Sequence, residues 1–265
     1  MIKEIKEKTS ATRIFVITNK NKIIENNLPS IYKYLNVGSA ERHLNGVFYD
    51  DTKDNISSLN PYFCELTGLY WIWKNCSEDI VGLVHYRRFF YNLVPSVMSF
   101  RILGENEVKK GLIGRDAIVP TPSYVSNIRK GYKNVLSQYG HYHNTKDLLL
   151  CGDIIRELFP PYFGEFQFVC NSRRASYLNM FITHKDLLNS YCSWLFPILF
   201  SLMNKIDYKN RSISEQRVFG YLSEILFNVW LRYNKVKTKY IEVCRIDQSC
   251  PKQWVRKTLK KIILR

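Results

Sequence analysis

The sequence predicts an α/β fold on a mainly parallel central sheet, and three features carry that expectation. Ile80-Val81-Gly82-Leu83-Val84 is an unbroken apolar run, the pattern of a strand buried on both faces in the middle of such a sheet. Arg13 to Thr18 is a second short run of β-branched and aromatic residues. Between them, Asn60-Pro61 opens a helical stretch through Tyr70, Trp71 and Trp73 to Asn75, and strand–helix–strand order favours parallel pairing.

The elements follow in order. Thr18-Asn19-Lys20 closes the first strand at its carboxyl end. Val37-Gly38 and Val47-Phe48 are weaker strand or turn signals, and Asp50 to Asn55 is a polar loop. Pro61 suits a first helical turn, where its missing N–H would have no partner anyway. Residues 91–116 read as a loop with a short helix, and Asp116 to Pro120 as a strand. Tyr132 to Leu158 is mostly helical, interrupted near Gly140 and His141-Tyr142-His143. Phe166 to Cys170 reads as a short strand or a loop, Tyr177 to Ile182 as a strand, and Lys185 to Leu202 as a helix kinked at Pro197. The clearest helix runs from about Ile213 to Arg232, with Val218, Tyr221, Leu222, Ile225, Leu226, Val229 and Trp230 on one face. Ser212-Ile213-Ser214-Glu215 fits a capping box at its start. Val236 to Val243 reads as an edge strand. No repeat is visible, so residues 1–250 form one domain and 251–265 a tail.

The formal net charge of +16 asks for an anionic partner: nucleic acid, an acidic membrane surface or phosphorylated substrates. Zinc-finger spacing, ribonucleoprotein aromatics and a helix-turn-helix are all missing, so nucleic acid is not the expected partner. Seven cysteines without a C-x-x-C pair describe a reduced, cytoplasmic protein with buried thiols. The longest apolar stretch, Trp194 to Met203, contains Pro197 and Ser201 and is too short to span a bilayer. In the tail, Lys252 to Arg265, six basic residues accompany Val255, Leu259, Ile262 and Ile263 on one helical face. That pattern suits an interfacial helix on anionic lipid, or a docked helix with a basic outer face.

The chemistry concentrates where the apolar run of residues 80–84 ends, in His85-Tyr86-Arg87-Arg88. Ligands of open α/β sheets sit outside the carboxyl ends of the strands. Paired guanidinium groups there suit a phosphate or diphosphate, because their forks match its oxygens; a solvated strand end is the plainer alternative. Nucleotide-sugar enzymes often carry a metal-binding Asp-x-Asp pair at such a strand end. No carboxylate stands here, so fixed cations are expected to replace the metal, and no metal cofactor is favoured. Asp50-Asp51, an acidic pair in a loop before a helix, reads as a cap or turn before it reads as a metal site.

Asp51 to Ser57, Asn60, Glu65 to Asn75 and Gly82 to Arg88 together resemble the signature of one bacterial group, the capsular and exopolysaccharide glycosyltransferase family catalogued as domain of unknown function 4422. The resemblance extends through Tyr139 to His143, Asn179 to Ile182, Tyr191 to Phe196 and Arg217 to Glu224, about residues 13–232 in all. One departure is Thr183, where the family pattern often carries a second Met. The resemblance implies a GT-A-like (Rossmann-like) nucleotide-sugar fold with a helical C-terminal part. It implies glycosyl transfer in surface-polysaccharide synthesis, with galactosyl or galactofuranosyl transfer from a UDP-sugar among the family's activities. A lipid-linked saccharide acceptor at the inner face of the plasma membrane fits both the resemblance and the basic tail.

On this reading the donor is held by Thr18, Asn19, Lys20, Asp51, Asn55, Glu65, Trp73, Lys74, His85, Tyr86, Arg87 and Arg88. His141, His143, Asn179, Met180 and Arg217 fall to the acceptor and sugar side. Several keep bland alternatives: Glu65 as a bridge within its helix, Asn179 bonded to backbone, Glu215 as a cap, and the two histidines at the surface. An inverting reaction needs one carboxylate as general base, and Asp153, Glu215 and Glu224 are the candidates.

Overall fold

The computed structural model describes residues 10–19, 27–38, 44–94, 96, 99–125 and 131–249. The strands are β1 (Thr12–Thr18), β2 (Tyr32–Asn36), β3 (Phe48–Tyr49), β4 (Ile80–His85), β5 (Arg88–Val94), β6 (Ser99–Ile102), β7 (Ala117–Pro120), β8 (Ser123–Tyr124), β9 (Arg174–Ala175), β10 (Phe181–His184), β11 (Thr238–Ile241) and β12 (Val243–Arg245). The helices are α1 (Asn60–Phe63), α2 (Leu66–Asn75), α3 (Glu105–Leu112), α4 (Val135–Tyr142), α5 (Thr145–Leu158), α6 (Phe163–Asn171), α7 (Lys185–Lys205) and α8 (Val218–Tyr233).

The central sheet runs β11-β7-β10-β4-β1-β2-β3. Along this path every pairing is parallel except those of β10, which is antiparallel to both β4 and β7; β5 joins β4 from off the path, also antiparallel. Side chains alternate between faces along each strand. Phe15, Ile17, Val81 and Leu83 join the helical core built from α2, α5, α6, α7 and α8. Ile14, Val16, Ile80 and Val84 join a second core with Phe89, Phe90, Val108 and Leu112 on the opposite face. Both faces are covered, which is why the strands carry no polar alternation. Gly82 lets β10 pack tightly here: a methyl group on it would stand 2.9 Å from Ile182 Cγ1 and 3.1 Å from the Phe181 carbonyl.

The structure corrects several expected elements. Asn60 to Asn75 is two helices, broken at Cys64, which adopts φ +53°. Where a loop was expected from residue 91, β5 and β6 pair antiparallel. Phe166 to Cys170 is helical, because its aromatic and branched residues lie in α6 against α8. The strand expected at Tyr177 starts only at Phe181, since Leu178 and Asn179 take φ +87° and +48°. The last long helix starts at Val218; Glu215 opens a preceding 3-10 turn, and its carboxylate takes the Ser212 hydroxyl without capping a helix. The break in the stretch from Tyr132 falls at His143-Asn144, past Gly140. The strand β2 was not expected at Tyr32. The basic tail and Lys20 lie outside the described residues.

Candidate functional site

The carboxyl ends of β1, β2 and β4 reach one edge of the sheet. Because β10 is reversed, the corner that enters it, Leu178-Asn179, arrives at the same edge. The first turns of α8 and the α1–α2 break close the sides. Together they bound a cleft of about 630 Å³ lined by Thr18, Asn19, Asn60, Cys64, Glu65, His85, Tyr86, Arg87, Arg88, Leu178, Arg217, Tyr221 and Glu224, among others.

His85-Tyr86-Arg87-Arg88 is a tight turn: His85 pairs with Arg88 as the chain doubles back into β5. His85 donates from Nε2 to the Leu178 carbonyl at 2.5 Å, which fixes its tautomer. Arg87 is exposed, lies over the Tyr86 ring at 4.8 Å and pairs with Asp247 at 3.2 Å. Arg88 differs. It is half-buried, and its guanidinium makes no hydrogen bond or salt bridge among the described residues, though the Glu224 and Glu65 charges act on it from a distance. Burial, then the charges of Arg245 and Arg87, press its pKa down, yet a guanidinium stays charged in proteins. An unpaired, partly desolvated cation is costly to keep, and an anion in the cleft would relieve it.

Glu224 lies on the opposite wall. Its Oε1 accepts the Leu178 N–H at 2.8 Å, and its Oε2 has no partner among the described residues. Burial pushes its pKa up to about 7; the Glu65 charge adds to the rise, while the Leu178 N–H, Arg88 and Arg217 oppose it. Asn179 Nδ2 ties this wall together, donating to Glu65 Oε1 at 2.7 Å, Ser223 Oγ at 2.8 Å and the Gly220 carbonyl at 3.2 Å. Asn tolerates the left-handed backbone better than most residues, so its place here has a local cause as well. Arg217 donates from Nε to Cys64 Sγ at 3.0 Å. A carboxylate titrating near neutrality and facing a fixed cation is the equipment for moving a proton from one reactant while holding negative charge on another.

Of the residues expected from sequence, the cleft gathers Thr18, Asn19, Glu65, His85, Tyr86, Arg87, Arg88, Arg217 and Glu224. Asn179 lies just beneath as a buried support. His143 stacks on Tyr221 at 4.1 Å, on the side away from the arginines. Others are placed elsewhere. Asp153 is exposed on α5 and paired with Arg156 at 3.2 Å. Glu215 is exposed and takes the Ser212 hydroxyl at 2.5 Å. Asp51 and Asn55 sit in the loop before α1, where Asn55 caps its own turn through the Ser57 N–H. Trp73 stacks on Phe196 with Lys74 Nζ 3.7 Å above its ring, so both pack outside the cleft. His141 is exposed beside Tyr132, and Met180 is fully buried in the second core.

Asp50 is an anchor: it accepts the Gly38 N–H at 2.9 Å and the Ser57 hydroxyl at 2.6 Å. Among the described residues no group of three or more His, Cys, Asp or Glu is placed to hold a metal ion. Sequence reasoning missed Cys64, Tyr221 and Leu178 as cleft residues. Tyr221 reads as one more member of the apolar helix face. Leu178 contributes its backbone, which leaves no side-chain signal.

Residues 13–235 match the model of a family described as Domain of unknown function (DUF4422). The chain is also similar to a solved structure, the apo form of WbbM, a bifunctional glycosyltransferase, with a TM-score of 0.79 and 29% identity over 90% of this chain. It spans 46% of that protein's chain. No curated protein matches it by sequence. The fold is GT-A-like, with the cleft at the sheet edge that binds ligands in open α/β folds.

Proposed function

The chain belongs to the DUF4422 family, and from that premise we propose that it is a glycosyltransferase moving a hexose from a nucleoside-diphosphate sugar to a saccharide acceptor. The observation that carries this is Glu224, whose Oε2 has no hydrogen-bond partner among the described residues and whose pKa burial pushes up to about 7, lining the same strand-end cleft as Arg88, whose guanidinium has no salt bridge among them. The donor diphosphate lies against Arg88, with Arg87 and Arg217 at the rim, and the nucleoside extends toward Thr18 and Asn19. Glu224 Oε2 takes the proton of the acceptor hydroxyl. The acceptor oxygen so deprotonated attacks the anomeric carbon, the bond to the diphosphate breaks, and the nucleoside diphosphate leaves with its new charge held by Arg88. The outcome is inversion at the anomeric carbon.

UDP-galactose and UDP-galactofuranose are the favoured donors, on the family resemblance, and the chemistry requires no divalent metal because Arg88 supplies the cation. The acceptor is lipid-linked, and the basic stretch 252–265 holds the enzyme at the anionic inner leaflet. Among the described residues no helix is long and apolar enough to cross a membrane. Acceptor-dependent release of nucleoside diphosphate across a panel of nucleotide sugars tests the activity. No turnover of any nucleotide sugar, or full turnover in Glu224→Gln, overturns it. Co-sedimentation with anionic vesicles, before and after deletion of residues 253–265, tests the membrane contact.

A further inference from the structure

A second pocket opens beyond Tyr221. It holds about 260 Å³ and shares Tyr221 and Glu224 with the larger cleft. Its other walls include Gln138, Tyr139, Tyr142 and His143 from α4 and its end, and Tyr177 opposite. Among the described residues no lysine or arginine lines it, whereas three arginines line the larger cleft.

Its polar groups have unused capacity. Tyr177 donates its hydroxyl to Gln138 Oε1 at 2.7 Å, which leaves the Gln138 amide nitrogen without a partner among the described residues. The Tyr139 hydroxyl also has no partner among the described residues, but it is fully enclosed and does not face the pocket. At the rim Tyr142 leaves 49% of its surface open.

Resting on the glycosyltransferase reading, we infer that this pocket is the acceptor subsite and that it takes the terminal ring of a neutral sugar. Aromatic faces carry partial negative charge and attract the C–H groups of a sugar's less polar face. The Gln138 amide nitrogen meets one of its hydroxyls, since polar groups taken out of water need partners. An acidic sugar is disfavoured, because among the described residues the walls carry the Glu224 carboxylate and no lysine or arginine. The volume lies below the ~300–1,000 Å³ of sites for drug-sized ligands and so suits one ring. A ring seated there meets Glu224 Oε2 at the shared wall, on the side opposite the diphosphate.

Saturation-transfer NMR with methyl β-galactopyranoside and methyl β-glucuronide, in the presence of saturating UDP, tests the assignment. The neutral glycoside binds and the glucuronide does not. Tyr142→Ala weakens the neutral glycoside by about tenfold, the scale of one aromatic face, and Tyr142→Phe restores it. Tyr142 is a surface residue, so folding is not at stake. Equal binding to Tyr142→Ala, preference for the glucuronide, or no binding of either sugar overturns the assignment. Each of these outcomes is compatible with nucleotide-sugar turnover, so they separate failure of the subsite from failure of the activity.

Discussion

Leu178 gives its backbone N–H to Glu224 Oε1 at 2.8 Å while holding φ at +87°. A branched residue rarely keeps that backbone unless its surroundings impose it. Here His85 grips the carbonyl of the same residue, and Asn179 is locked to Glu65, Ser223 and Gly220. The corner thus couples the cationic turn after β4 to the carboxylate on α8.

Glu224→Gln separates catalysis from stability. Loss of a general base costs about 10²–10⁴ in turnover, with donor binding kept. Stability changes the other way. The folded pKa of about 7 stands above the ordinary 4.5, so between those values the folded state retains a proton that the unfolded state releases. Stability therefore falls as pH rises through that window, and the whole penalty is present above pH 7. Glutamine keeps an acceptor for Leu178 and carries no charge. Thermal unfolding of the variant should show a gain at pH 8, up to roughly 2 kcal/mol given solvent access to the cleft, and none at pH 4. A loss of stability at pH 8 would contradict the assigned burial.

Glu65→Gln shifts the pH profile. The Glu65 charge is one of the causes that raise Glu224, so its removal lets Glu224 ionise at lower pH. The base must be deprotonated to act. The acidic limb of kcat/KM therefore moves to lower pH, while glutamine can still accept from Asn179. An unmoved limb would show that the two carboxylates do not interact.

Asn179 tests the corner itself. Asn179→Ala loses a buried amide with three acceptors and keeps the unfavourable φ of +48°. A loss of about 2–4 kcal/mol is expected in urea unfolding. Asn179→Gly loses the same bonds without the steric cost and should be less damaging by about 1 kcal/mol. Equal losses in the two variants would remove strain from the account.

Much of this was legible from local pattern. The run at Ile80–Val84 announces a strand buried on both sides, and the cationic turn after it lines the cleft at the sheet edge. Glu224 was one of three carboxylates the sequence could not rank. What separates it from Asp153 and Glu215 is burial against residues distant in sequence, which no spacing encodes. The same holds for Leu178 and Asn179. Their β-branched and apolar neighbours read as strand, but partners on β4, α2 and α8 impose the left-handed corner. Trp73 and Lys74 carried a signal that suits a stacking site equally well, and tertiary packing on Phe196 uses it instead.

The two adjacent arginines should not be equivalent. Arg87 is exposed and already has Asp247 at 3.2 Å, a surface pair of small net worth. Arg88 is half-buried, faces the cleft and has no partner among the described residues. A preorganised cation that meets the leaving diphosphate contributes about 2.7–4 kcal/mol to the transition state. Arg88→Ala should therefore lower kcat by about 10²–10³, and Arg87→Ala by no more than about fivefold. Arg88→Lys should recover only part of the loss, since an ammonium cannot reproduce the guanidinium fork. If Arg88 stands in for a metal, chelation with EDTA leaves the wild-type rate within about twofold, and added manganese does not rescue Arg88→Ala. Steady-state kinetics on the three variants, with and without chelator, decide this. Equal effects of the two alanine substitutions, or complete loss of wild-type activity in EDTA, would place the leaving-group charge elsewhere.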